Sequence, residues 1–472
     1  MPALRERPAS VTGIGAFVDL AGLHAVLKDH HDTGLITGRT WPSTAIALLG
    51  LPLLFAQHVD DTAPVRVMLL EGGALVVAIA LRNADLALAT ATSGSTASWK
   101  RETVGVVDVL RRLDGVMIGV SEALGVCRNT LLASTDGSFF ERAGDVARYA
   151  ATPEAEGFAV LVERAAPARF GAVVRGASLR DLVLRALGTL ANTQGASLTP
   201  LLLVLSRFAF GAYENSEIPL GFTADPATAT LDVSLPDRAQ HLGLSPIAKG
   251  TLLGLPAGMV AAACGDRHGG PIDLSLPGVL LSGLDSPELR SLVAAVDRRA
   301  LAPLAFTMTR TPTGHAFVMR LEVTQSAGLL GVLEGLVAGS QLPAATRVEK
   351  LVLAPIGEVY KIAIEERTFG VAVRGTQVTI ALAAGPFVAL AGALEPGAAV
   401  VETKLPRSLA ARLPDPSSAA LAIDLDVYAP PNDKARKVGP GALLACVLEN
   451  DGRAVLRVCV TAAGWRAMRR AN

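Results

Sequence analysis

An order of apolar runs appears twice in this chain, and nothing else in the sequence constrains its fold as much. Residues 66–150 and 305–394 read in parallel. The first copy opens with Val65-Arg-Val-Met-Leu-Leu70, a Glu-Gly-Gly turn, and Leu75-Val-Val-Ala-Ile-Ala-Leu81. The second opens with Phe306-Thr-Met-Thr309, a turn ending at Gly314, and Phe317-Val-Met-Arg-Leu-Glu-Val323. Apolar and β-branched runs on either side of a Gly-bearing turn are the pattern of a β-hairpin. A supersecondary unit used twice is the direct reading of such a recurrence.

Each hairpin is followed by a helical segment, Asp85–Ala91 in the first copy and Ser326–Val337 in the second. In the latter, Leu329, Leu330, Leu333, Leu336 and Val337 stand near helical spacing. Gly331, Gly335 and Gly339 form a second stripe, read here as a smooth surface for close helix-on-sheet packing. Strands follow at 103–110 and, in the second copy, at 348–353 and 359–364. A further apolar pair comes next, 116–121 with 130–134 against 369–373 with 378–382. A closing helix ends each copy.

Between the copies, Ser178–Ala212 has the apolar i, i+3, i+4 spacing of helices. The expected architecture is α+β: two related modules with antiparallel sheets and packed helices, joined by a helical insert. The divisions read from the sequence are an N-terminal segment 1–64, module 1 over 65–177, the insert 178–219, module 2 over 220–400, and a C-terminal hairpin segment 401–472. In that last hairpin, an Asp451-Gly452 loop pairs Asn450 with Arg453 and sets Cys446 and Cys459 diagonally on one face. A four-residue loop would set them directly opposite.

Composition excludes several classes. The chain carries 43 basic and 43 acidic residues, so it lacks the basic excess of an electrostatic nucleic-acid binder. Aromatics make up 4 %, too few for a base-stacking platform. Half the residues are hydrophobic, enough for sizeable cores. The uncharged stretches 40–57 and 375–394 are both interrupted by proline, so neither reads as a transmembrane span. The four cysteines include no Cys-x-x-Cys pair, which argues against a structural zinc site or a disulfide framework.

Two clusters hold residue types that can do chemistry. Cys264, Asp266 and His268 alternate and would share a strand face, placing a thiol, a carboxylate and an imidazole together. Their bland reading is a buried Cys at a strand end before a Gly-Gly loop. His24 and His31 are spaced to share a helix face, and with Asp60 and Asp61 they offer nitrogen and oxygen ligands to a metal. Their bland reading is polar residues at helix ends and loops. Neither cluster forms a recognised catalytic motif, so no catalytic, cofactor or metal site is assigned and no cofactor is expected.

The element order resembles that of a loose class of uncharacterised, mostly exported bacterial proteins built from repeated β-β-α units. The resemblance carries no functional motif. It implies an export signal, yet the chain begins Met1-Pro-Ala-Leu-Arg-Glu-Arg-Pro8 without a following apolar stretch. The expected location is cytoplasmic as the chain stands, and exported if a signal was trimmed. The functional expectation is a non-enzymatic binding or structural protein, envelope-associated, whose partner is a protein or an apolar ligand. The alternatives are a carrier of lipid or another apolar ligand, and a hydrolase using Cys264 and His268.

Overall fold

The computed structural model describes residues 7–29, 39–93, 99–113, 121–152, 158, 161, 169–181, 213–236, 260–264, 300–311, 314–323, 326–339, 346–354, 356–364, 367–384, 419–424, 442–450 and 452–461. The chain divides into two compact units. Unit 1 is Met1–Thr189 with Leu205–Ser234, and unit 2 is Leu190–Val204 with Leu235–Asn472.

In unit 1 the strands are β1 (Val11–Phe17), β2 (Val65–Leu70), β3 (Leu75–Ala80), β4 (Trp99–Val104), β5 (Val107–Arg112), β6 (Ala123–Cys127), β7 (Thr130–Ser134), β8 (Phe170–Arg175), β9 (Glu217–Ala224) and β10 (Thr228–Ser234). They pair antiparallel in the order β10-β9-β8-β1-β2-β3-β7-β6-β5-β4.

In unit 2 they are β11 (Val260–Cys264), β12 (Ala300–Thr311), β13 (Gly314–Val323), β14 (Thr346–Leu353), β15 (Gly357–Ile364), β16 (Arg367–Arg374), β17 (Gln377–Ala384), β18 (Ala419–Asp424), β19 (Ala442–Asn450) and β20 (Arg453–Thr461). Their order is β20-β19-β18-β11-β12-β13-β17-β16-β15-β14, again antiparallel throughout. Strand for strand, the two connectivities are identical among the described residues. The duplicated pattern therefore extends beyond the stretches 66–150 and 305–394. It begins one strand earlier in each unit and gains three strands at the end.

Both faces of the unit 1 sheet are covered at its centre. The central strands β1, β6 and β7 are buried on both sides. One face packs Ile14, Met68 and Leu132 against Phe139, Val146 and Ala147. Those last three come from α4 (Phe139–Arg142) and α5 (Gly144–Ala150). The other face packs Ile79, Leu124 and Leu131 against Trp41, Ile46, Phe55 and Leu88. These four lie on α2 (Trp41–Leu48), the 3-10 helix Leu53–His58 and α3 (Ala84–Thr92), while α1 (Leu20–Asp29) precedes them. Burying each such side chain contributes about 2 kcal/mol.

Local chemistry starts these helices. Thr40 and Ser43 form a reciprocal capping box on α2, with Pro42 in its first turn. Asn83 caps α3 by accepting from the Leu86 amide at 3.0 Å.

Several expectations are corrected in detail. The strand read across 103–110 is a hairpin, β4 and β5, folded at Gly105, whose φ of 61° reverses the chain. The partner of β7 is residues 123–127, not 116–121, because the turn needs only Arg128 and Asn129. Glu217–Pro219, read as part of a loop, open strand β9. Most of the expected insert, 182–212, lies outside the described residues.

The glycine stripe of the second-copy helix, α6 (Ser326–Ala338), does not face the sheet. A Cβ built at Gly331 or Gly335 would meet nothing within 4 Å. Leu329 and Leu333 are the buried pair instead. Burial selects the helix row with the most apolar area, and glycines offer none. In the C-terminal hairpin, Asn450 pairs with Arg453, so Cys446 lies opposite Arg457 and Cys459 opposite Leu444. That is the diagonal arrangement of the two-residue loop.

Candidate functional site

Of the residues singled out from the sequence, Cys264, His24, Asp60 and Asp61 lie among the described residues. Cys264 is the last residue of β11, paired in register with Leu304 and Ala419. Asp266, His268 and His31 lie outside the described residues. His24 on α1 is within 3.1 Å of the Thr44 hydroxyl on α2, through its Nε2. The Asp60 carboxylate accepts from the amide and hydroxyl of Thr62, at 3.1 and 2.7 Å. Those bonds hold Asp60 below the usual carboxylate range. Asp61 pairs with Arg82. Among the described residues, no three His, Cys, Asp or Glu stand where they could hold a metal ion.

A denser polar constellation lies in unit 2. Lys350 on β14 reaches Glu334 of α6 at 2.8 Å and Glu358 of β15 at 3.0 Å. The Tyr360 hydroxyl donates to the same Glu334 oxygen at 2.7 Å. The Lys350 ammonium also stands 5.6 Å from the centre of the Tyr360 ring. A phenol, a carboxylate and an ammonium in contact could in principle relay a proton. Here each is pushed away from that task. Lys350 holds Glu334 below its ordinary range, helped by Tyr360. Glu334 first and Glu358 second hold Lys350 well above its own. Burial, then the bond to Glu334, raises the Tyr360 phenol. Acid–base work needs groups poised near the working pH, and these are locked in their resting charge states. The trio is a clamp that fixes α6 to the sheet.

Unit 1 has a small recess where β5 and β6 part. Their pairing ends at Leu110 with Leu124. Beyond it, Leu110, Arg111, Glu122, Leu124, Phe140 and Glu141 line about 200 Å³. Arg111 bridges Glu102 and Glu141 there, at 2.8 and 3.0 Å. Pockets for drug-sized ligands run to roughly 300–1,000 Å³, and this recess falls below that range.

At the other end of β6 lies a feature that sequence reasoning missed. The β6–β7 turn is Arg128-Asn129, and Arg128 has φ 51°. Among the described residues it is the one non-glycine in the left-handed region. The same turn in unit 2 is Gly375-Thr376, with Gly375 at φ 55°. A two-residue hairpin turn with this backbone at its first central position favours glycine there. Arg128 extends to the Thr152 hydroxyl at 3.5 Å, and Thr152 donates to the Arg148 carbonyl at 2.9 Å. The neighbouring Cys127 is buried, and burial pushes its thiol up while Arg128 and Arg148 pull it down. Only the aligned repeats could have flagged this position, by setting an arginine against a glycine.

No protein-family model matches the chain, and no curated protein matches it. Among solved structures, crystal form IV of TP0453 is similar at 9 % identity, covering 50 % of this chain and 99 % of that one with a TM-score of 0.25. Crystal form I of TP0453 is similar at 9 % identity, covering 47 % and 97 %, with a TM-score of 0.24.

Proposed function

We propose that the chain is a non-enzymatic binding or structural protein, a duplicated sheet scaffold that acts through its surfaces. The observation that carries this reading is the repetition of one ten-strand connectivity in both units. Packing supports it. Both faces of the unit 1 sheet are filled at its centre by side chains from its own helices, and close-packed layers of this kind make a rigid support. The best-formed polar constellation supports it as well, since its chemistry serves to hold a helix in place. An envelope association rests on the resemblance in element order alone.

Native mass spectrometry of protein purified from its source tests the reading. The expected spectrum shows the chain by itself or with a protein partner. A stoichiometric lipid would replace the scaffold reading with that of an apolar carrier. Stoichiometric labelling of Cys264 by an electrophilic probe, abolished by His268→Ala, would replace it with that of a thiol hydrolase.

A further inference from the structure

We propose that β14 of unit 2 is a dimerisation edge: it pairs antiparallel with β14 of a second copy of the chain, about a two-fold axis at Val348. This goes beyond the scaffold reading and does not depend on it. Among the described residues β14 pairs on one side only, with β15. Its other side presents a row of amides and carbonyls. Such a row is a template for a further strand, and chains commonly guard it with short length and charge. The equivalent edge of unit 1 is guarded in that way: β4 has six residues, and Lys100, Arg101, Glu102 and Thr103 are exposed along it. β14 has eight residues and ends Leu351-Val352-Leu353. Val352 is 80 % exposed, more than any other large hydrophobic side chain among the described residues.

The charges that β14 carries are arranged to select a partner, and that partner is itself. Lys350 is turned back onto its own unit by Glu334 and Glu358, at 2.8 and 3.0 Å, so it does not guard the edge. Arg347 and Glu349 stand two positions apart and share the other sheet face. Within its own sheet Arg347 lies opposite the uncharged Ala363, while Glu349 lies opposite Lys361 and accepts from it at 3.0 Å. With a two-fold axis at Val348, Arg347 stands opposite the partner's Glu349, and Glu349 opposite the partner's Arg347. One register thus gains two cross-strand ion pairs. Moving the axis by one residue either way sets Arg347 or Glu349 against its own copy, and an axis at residue 350 does the same to Lys350. Like charges directly opposed are destabilising. Axes at Leu351, Val352 or Leu353 avoid that clash but forgo both ion pairs. β4 has no such solution, because the register that pairs Lys100 with Glu102 sets Arg101 against its own copy. A two-fold contact of this kind closes on itself and leaves no edge from which a fibre could grow.

Sedimentation velocity of the full chain over a concentration series tests the edge. The wild type should show a reversible monomer–dimer equilibrium. Arg347→Glu and Glu349→Arg should each weaken dimerisation by about tenfold, because each substitution changes both symmetry-related pairs at once. The double variant, R347E with E349R, should restore it, since the same pairs form again in reverse order. Lys100→Glu, on the edge of unit 1, should leave it unchanged. All three side chains are exposed, and unchanged circular dichroism spectra distinguish lost pairing from misfolding.

Cross-linking reads the axis directly. A residue on the two-fold meets its own copy, so Val348→Cys should form an intermolecular disulfide under mild oxidation, within the roughly 7 Å that a bridge allows between Cα atoms. Val352→Cys is the control. It is the more exposed position, yet this register holds its two copies roughly 26 Å apart. A chain that stays monomeric at every concentration overturns the proposal and leaves the edge to a strand of another protein. A dimer that neither single charge change weakens overturns it as well. So does a dimer that cross-links through Val352→Cys and not through Val348→Cys.

Discussion

Tyr360 and Glu334 are joined by a 2.7 Å hydrogen bond that ties strand β15 to helix α6. Tyr360 is almost wholly buried, and Glu334 is the single charged residue in α6. Tyr360→Phe should therefore loosen the helix without disturbing the sheet. The expected result is a modest fall in melting temperature together with faster amide exchange confined to α6. Exchange that accelerates equally across β15–β17 would show that the bond does not act as a clamp.

Arg128→Gly should stabilise unit 1 by about 0.5–1 kcal/mol. Removing a left-handed side chain recovers roughly 1–2 kcal/mol, and the added freedom of glycine in the unfolded chain takes back about half. The mirror change, Gly375→Arg, should destabilise unit 2 by a similar amount. Urea denaturation of both variants checks the pair, and equal signs for the two would contradict the comparison of the turns.

Gly176→Ala should cost about 3 kcal/mol. A Cβ there would overlap the carbonyl oxygen of Tyr213, which is backbone and cannot swing aside. Gly176 also donates its amide to the Ser216 carbonyl at 2.9 Å, so the segment cannot retreat without losing that bond. Gly144→Ala is the control. Nothing lies within 4 Å of its Cβ, and alanine at the start of α5 should be neutral or stabilising.

Acid should weaken unit 1 through its capped carboxylates. Asp136 is held below its ordinary pKa of 3.8 by Ser138 first, and Asp108 by Arg101 first. A folded-state pKa below the unfolded one gives stability that is present above the unfolded value and lost as pH falls through the folded one. Melting temperature should therefore be flat near neutrality and drop below about pH 4, with a smaller drop in Asp136→Asn. Tyr360 acts at the other limit. Its phenol is raised above 10.0 in the folded state, so its contribution holds below that pH and is lost in stronger alkali. A melting temperature in Tyr360→Phe that falls as steeply as the wild type above pH 10 would count against this.

The thiols of Cys127, Cys446 and Cys459 should alkylate slowly in the native protein and rapidly in denaturant. Cys127, Cys446 and Cys459 are all buried, and none of them forms a disulfide. The 446 and 459 positions lie diagonally across the β19–β20 ladder. Diagonal Cα atoms stand at or beyond the roughly 7 Å that a disulfide tolerates. Mild oxidation should not bridge them, whereas Arg457→Cys, directly opposite Cys446, should form a bridge.

What could be read from the sequence was whatever local pattern decides. The hairpin β19–β20 follows from the apolar runs around Asn450-Asp-Gly-Arg453, while its register was one of two that the sequence allowed and the fold takes that of the two-residue loop. The β2–β3 and β12–β13 hairpins follow from their apolar runs and Gly-bearing turns. The pairings of β1 with β8 and of β11 with β18 were not legible, since no local signal links Gly13 to Val174 or Val260 to Ile423. Glu334, lone among apolar neighbours, was a visible hint. Its partners Lys350 and Tyr360 meet it only once β14 and β15 form. The strain at Arg128 was hidden for a different reason: Arg-Asn is no turn signal, and the position stands out only when the two repeats are aligned and Gly375 falls opposite it.

The place of β1 in its sheet bears on how the chain comes off the ribosome. β1 sits between β2 and β8, so one of its edges finds a partner early and the other waits until Phe170–Arg175 has been synthesised. During that interval a strand built to be buried on both faces offers open amides and carbonyls to any passing chain. Unit 2 repeats the exposure, with β11 waiting for β18. Distant pairing of this kind makes for slow closure and a long window for misassembly. A nascent chain stalled before β8 should therefore be the form that most needs a chaperone.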